Sequence, residues 1–171
     1  MNISKVYNAR VYLNGNDLIG KAKEVELPKV KPKFSDVSGL GLYGEAEVPI
    51  GMDKMESRLL MNSIYPEFIK VISNPRKAAI IIIRSSITGF GQDGVSYEKP
   101  LKAELRGFFK ESDTGKFKQG EGTEAEAVMS VIYYKLEIDG QPIFEVDVFN
   151  NIYKVNGEDL LQEFTVNLGG W

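Results

Sequence analysis

Three pairs of carboxylates stand close together in this sequence: Glu145 with Asp147 in "EVD", Glu158 with Asp159 in "GED", and Glu111 with Asp113 in "ESD". Acids at such spacing can do acid/base work or give hard oxygen ligands to a cation. Alternate acids are also what the solvated face of a strand looks like. The second reading prevails, because charged side chains belong outside unless they are paired.

The residues that would complete a catalytic or metal site are missing. The chain of 171 residues has no histidine and no cysteine. That removes the usual zinc ligands, the commonest general base near neutral pH, thiolate chemistry, disulfides and every imidazole triad. An enzyme would have to work with carboxylates, lysine or tyrosine alone. The glycines of "SDVSGLGLYG" lack the strand-to-helix context and the spacing of a phosphate-binding fingerprint. Phe108-Phe109 and Tyr133-Tyr134 offer stacking surfaces for single-stranded nucleic acid or sugar. Neighbours on a strand point to opposite faces, so each pair puts one ring in the core and one outside, where interfaces use aromatics. No catalytic residue, cofactor or metal is assigned.

Bulk charge narrows the field further. Lysine and arginine total 21 against 24 acids, a net charge of -3, with no long block of one sign. This argues against wholesale phosphate binding. "MNISKVYNARVYLNG" has no apolar signal core, and the longest apolar run, Ala78 to Ile83, is too short to cross a bilayer. The expectation is a soluble protein made in the cytoplasm, with one domain over residues 1–171 that buries roughly two thirds of its unfolded surface.

The elements that position these residues are mostly strands. Val11 and Leu13 precede Asn14-Gly15, a hairpin turn signal, and a second arm runs from Leu18 to Leu27. "LPKVKPK", with Pro28, Pro32 and three lysines, belongs at an edge or in an extended arm. Ser35 to Gly51 carries four glycines and reads as a flexible connection that hardens into a strand near Glu45 to Ile50. Met55, Ser57, Leu59 and Met61 alternate with Lys54, Glu56 and Arg58, the mark of a half-buried strand.

Ile64, Phe68, Ile69 and Ile72 fall at helical spacing, with Pro66 in the first turn and Asn74-Pro75 as the stop. "AAIIII" predicts a buried strand, and Thr88 to Gly94 the next turn. Leu101, Ala103 and Leu105 share one face. Val128, Ile132, Tyr134, Leu136 and Ile138 share one parity, and Asp139-Gly140 turns into "PIFEVDV". Ile152 to Val155, a turn at Asn156-Gly157 and a last helix from Asp159 to Leu168 stopped by Gly169 complete the chain.

The sum is about eight antiparallel strands with one or two short flanking helices, a mainly β fold of the sandwich or small-barrel kind. Between Glu111 and Ala127 lie seventeen residues with one aromatic and no aliphatic side chain larger than alanine. So long a polar stretch between two strands reads as material placed beyond the core for another subunit.

In order and spacing, "LPK" at Leu27, Pro28 and Lys29, "KESDTGKFKQGEGTE", "YYKLEIDG", "VDVFNNIYKVNG" and the terminal "NLGG" resemble the major tail tube protein family of contractile-tailed phages and R-type tailocins. The segment from Ser35 to Asp53 departs most from that family's pattern. The resemblance implies a β-barrel or sandwich core with a flanking helix, and hexameric rings stacked into a hollow tube inside a contractile sheath. Strands of adjacent subunits would join around the lumen. The implied partners are further copies of the chain, the sheath protein, and baseplate, initiator and terminator proteins, with DNA only as passing cargo. Its place would be a virion tail or tailocin particle assembled in the bacterial host cytoplasm.

Contact residues expected on this basis are Leu27, Pro28 and Lys29 at the end of the second arm. In the polar stretch they are Asp113, Thr114, Gly115, Lys116 and Lys118, followed by Gln119, Gly120, Glu121 and Glu124. A ring-forming type VI secretion tube protein is the related alternative, and a monomeric β-barrel that binds a small ligand is the alternative from a different class.

Overall fold

The computed structural model describes residues 2–170. Met1 and Trp171, the ends of the single-domain expectation, lie outside the described residues. The first strands are β1 (Ile3–Lys5), β2 (Ala9–Leu13), β3 (Asn16–Asp17) and β4 (Ala22–Glu26), then β5 (Pro32–Val37), β6 (Ala46–Met52) and β7 (Met55–Met61). Helix α1 (Pro66–Ile72) leads into β8 (Ala79–Gly91), β9 (Gly94–Asp113) and β10 (Ala125–Ile138). The chain ends with β11 (Gln141–Asp147), β12 (Ile152–Val155), β13 (Glu158–Asp159) and α2 (Gln162–Asn167).

All pairings are antiparallel, both between strands joined by short turns and in the non-successive pairs β1–β8, β2–β8, β4–β7 and β7–β10. The main sheet runs β13-β12-β11-β10-β9-β8-β2-β3, with β1 on the far end of β8, β7 on β10 and β4 on β7. The long strands β8, β9 and β10 form its spine. One edge of β10 is shared: Ala125 to Val131 pair with β7, and Tyr133 to Ile138 pair with β11. The path from β2 through β8, β9, β10 and β7 to β4 does not close into a barrel, because a turn at residues 19–21 separates β3 from β4.

The core lies inside this curled sheet, with Leu13, Met55, Leu59, Met61, Ile81, Leu105, Phe109 and Met129 among its most buried side chains. The "AAIIII" strand alternates as expected, Ala79, Ile81 and Ile83 inward. Helix α1 carries Pro66 in its first turn and buries Phe68 and Ile72 against the sheet. Burying one such side chain stabilises the fold by about 1.5–3 kcal/mol.

Several expectations are corrected. The second arm is not one strand from Leu18 to Leu27: the hairpin partner is the short β3 before it, a turn follows at residues 19–21, and only β4 is strand within it. The strand expected near Glu45 to Ile50 is β6, but the segment before it is not all connection: β5 runs to Val37 and pairs with β6 as a two-stranded sheet apart from the main one. The turn expected over Thr88 to Gly94 shrinks to Gln92-Asp93, since β8 continues to Gly91 and Gly94 supplies the positive φ.

Val128 and Ile132 do not share a face with Tyr134 and Leu136. Ala125, Ala127, Met129 and Val131 point inward, and a register shift between Val131 and Tyr133 then moves the inward parity to Tyr134 and Leu136. One extra residue in a ladder exchanges the faces of everything after it.

The last helix starts at Gln162, after Asp159 has been drawn into β13. There the Asp159 carboxylate accepts a hydrogen bond from the Leu161 amide at 3.1 Å. The stop is as read: Gly169 has φ +83, and the Gly169 and Gly170 amides donate back to the Val166 and Thr165 carbonyls.

Candidate functional site

The acid pairs have structural uses. Asp147 accepts from both the amide and the side-chain amide of Asn150, at 3.1 and 2.7 Å, and so shapes the turn after β11. Asp113 accepts from the Gly115 amide at 2.8 Å. Glu145 accepts a hydrogen bond from the Tyr133 hydroxyl at 3.3 Å. That hydroxyl is pushed well above the usual tyrosine range, first by burial and then by the charges of Glu145 and Glu104. Among the described residues no three acids converge as a cation site would require.

Glu145 also belongs to a longer pattern. Glu104 on β9, Lys135 on β10, Glu145 on β11, Lys154 on β12 and Asp159 on β13 are direct cross-strand partners in succession. Direct partners share a face, so five strands present a row of alternating sign with one acid in excess. Lys135 also pairs with Glu137 at 2.9 Å, which holds the Glu137 carboxyl below its usual range.

A second charged face covers β4, β7, β10 and the end of β9. Arg58 reaches Glu126 at 2.9 Å and Glu26 at 4.0 Å, while Lys110 pairs with Glu56 and Lys23 with Glu124. At one end of this face lies the loop of residues 114–124, because β9 claims Glu111 to Asp113 and β10 claims Ala125 to Ala127 from the polar stretch. The loop is built rather than slack. Gly115 holds φ +90, and a β-carbon there would collide with the Glu124 carbonyl. Thr123 Oγ1 donates to the Lys116 carbonyl at 2.7 Å, and Lys118 pairs with Glu121 at 3.2 Å.

The expected contact residues therefore fall into two groups that do not meet within one chain. Asp113 to Glu124 sit beside the Ala125–Met61 pair, and Leu27 to Lys29 lie toward the Val131–Met55 pair. Six residues of strand, about 20 Å, separate the two ends. Leu27 and Lys29 are exposed and border a concavity of about 530 Å³ that Glu26, Lys31, Asp53 and Lys54 help to line. Pro28 is buried, so it shapes the end of β4 and presents no contact surface of its own.

Two surfaces escaped the sequence reading. The β5–β6 hairpin exposes Phe34, Val37, Val48 and Ile50, and at its tip Leu40 and Tyr43 are 108% and 110% exposed, beyond contact with the rest of the chain. The signal was present in "GLGLYG", large apolar residues spaced by glycine with no polar partners. The other is Phe117, 87% exposed on the 114–124 loop between Lys116 and Lys118. Leu160, Phe164, Val166 and Leu168, on and beside α2, are also exposed.

Residues 3–169 match the family model of phage tail tube protein FII. The chain is 35% identical over 162 residues to the tail tube protein of Escherichia phage P2, with 93% of each chain covered. It is 30% identical over 165 residues to the major tail tube protein of Serratia phage KSP20, with 94% of each covered. Among solved structures, the fold is similar to a chain of the sheath/tube terminator of PVC, an extracellular contractile injection system, in its extended state. That likeness has a TM-score of 0.59 and 11% identity, and covers 78% of this chain and 95% of that one. A chain of the PVC sheath-tube complex matches with a TM-score of 0.58 and 11% identity, covering 78% and 90%. The chain belongs to the phage tail tube protein FII family.

Proposed function

We propose that this structural tail tube subunit closes into hexameric rings which stack as the hollow tube of a contractile phage tail or a tailocin. Strands of neighbouring copies continue one another around the lumen, so that the open sheet of one copy becomes part of a closed wall. The relatives named above are tail tube proteins, and the solved neighbours come from sheath and tube assemblies. A surrounding sheath, a terminator and a baseplate initiator are the partners this reading assigns, and DNA passes through only in an infective particle.

The observation that carries it is the β5–β6 hairpin. A two-stranded ribbon alone is marginal in water, and this one shows large apolar side chains on its strands and tip. Such a ribbon is stable when a second copy covers it. Contacts that close around a ring and fail to close along its axis generate a tube.

The row from Glu104 to Asp159, with one acid in excess, supports a wall that would not grip phosphate, because binding to nucleic acid rises with each uncompensated cation. Two groups of contact residues at opposite ends of one face support stacking along the strand direction.

Negative-stain microscopy and sedimentation across a concentration series test the reading. Rings or hollow rods are expected. A lone compact particle at every loading would overturn it.

A further inference from the structure

The two ends of the β4–β7–β10–β9 face carry opposite charge. From Asp113 to Glu126 the sequence has four acids against two lysines, an excess of two negative charges, while Glu111 lies on the rung of Val128, Arg58 and Glu26. From Leu27 to Lys33 it has three lysines and no acid, and the concavity beside them adds Lys54 and Arg58 against Glu26, Asp53 and Glu56, so this end carries an excess of two positive charges. Among the described residues, ion pairs within the chain engage Glu121, Glu124 and Glu126 but none is formed by Glu111, Asp113, Lys29 or Lys33. Lys31 reaches Asp53 only at 4.0 Å with its side chain 76% exposed.

Each end also has a matching shape. The acidic end carries Phe117 on a loop pinned at both feet, by Asp113 on Gly115 and by Lys23 on Glu124. The basic end has the concavity of about 530 Å³ beside the exposed Leu27. An aromatic ring held out on a loop of fixed shape loses little freedom on docking, and a desolvated aromatic in a pocket is the commonest kind of binding hot spot.

We propose that Phe117 of one copy seats over Leu27 of the next copy along the tube, while Lys29, Lys31 and Lys33 of that copy face the acids around the loop. The partner is a second copy of this chain. Knob and hole lie at opposite ends of the same strands, so the contact is head to tail and leaves each new copy with an unused end, which is what propagates a filament. The charges set the order and direction of stacking and the ring supplies the anchor. This pairing rests on the tube reading.

The absence of native cysteine makes a direct test possible. The double variant Lys29→Cys with Lys116→Cys changes two exposed side chains beside the contact and leaves Phe117, Leu27 and the core intact. Under mild oxidation its tubes should give a ladder of covalent multimers on a denaturing gel, and neither single variant should pass beyond a trace of dimer. Tubes that form without a ladder overturn the pairing and leave the tube reading standing. If the unaltered chain forms no tubes, the tube reading falls and the pairing falls with it.

Charge reversal gives a second readout. Lys29→Glu with Lys31→Glu, and separately Gln119→Lys with Glu121→Lys, should each raise the concentration at which tubes appear by about tenfold or more. Mixing the two variants should return it to within about threefold of the original, because reversed ends then face each other. Unchanged assembly of either variant alone, or no recovery on mixing, also overturns the pairing.

Discussion

A β-carbon placed on Gly107 would sit 2.9 Å from the carbonyl carbon of Ser130, and closer still to its oxygen. Gly107 pairs with Val131 one step before the register of β9 and β10 shifts, so the two backbones approach where no side chain can fit. Backbone cannot swing aside as a flexible side chain would. Gly107→Ala should therefore destabilise the subunit by about 3 kcal/mol in urea unfolding. A loss below about 0.5 kcal/mol would show that the two strands can part without cost.

Tyr133 should ionise late. Burial and the carboxylates of Glu145 and Glu104 raise its hydroxyl above the usual range, and burial raises Tyr134 as well. A group whose folded value is raised lends stability that is complete below its unfolded value and is lost as pH rises above it, here from about pH 10 upward. Absorbance titration should show two of the eight tyrosines lagging until the protein unfolds. Tyr133→Phe should remove one lagging ring and soften the alkaline loss of stability. Eight tyrosines titrating together in the folded subunit would refute this.

On the acid side, the hydrogen bond from Lys110 holds the Glu56 carboxyl below its ordinary range, and Arg10 does the same for Asp17. Depressed carboxyls give stability that is present above their unfolded values, about pH 4, and lost as pH falls through the folded values. Both pairs are exposed, so salt should weaken the effect. In Lys110→Met, carboxyl titration by NMR should show Glu56 moving upward while Asp17 stays where it was. A Glu56 value that does not move would mean the pair is not formed in solution.

Removing residues Lys116 to Gly122 takes away Phe117 and the loop's internal ties but leaves β9 and β10 with their full ladder. Circular dichroism should report an unchanged fold, and electron microscopy should find no tubes. Normal tubes from this deletion would remove the loop from the assembly surface.

Much of the fold was legible because its signals are local. Asn14-Gly15, Asp139-Gly140 and Asn156-Gly157 carry positive φ at both residues of each turn, as hairpin chemistry demands. Alternation placed Met55, Leu59 and Met61 inward on β7, and Pro66 opened a helix where its missing amide costs nothing. The family resemblance rested on the same kind of information, short stretches in a fixed order.

What escaped was non-local. Parity in β10 predicted one face from Val128 to Ile138, and no residue type there announces the register shift at Val131 that exchanges the faces. The segment after Ser35 announces the strand near Glu45 to Ile50 but not its partner, because β5 and β6 pair across the intervening glycine-spaced tip.

By itself the sequence determined that the chain is built of antiparallel strands joined by tight turns, and that it has neither the imidazole nor the thiolate that most protein catalysis uses. Only the tertiary structure decided which charges meet, as when Lys23 pairs with Glu124 across 101 residues, and that the Phe117 loop and the basic arm occupy opposite ends of one face. The reason is physical: turn preferences and side-chain periodicity act over a few bonds, whereas register and the meeting of distant charges are set by how whole strands pack.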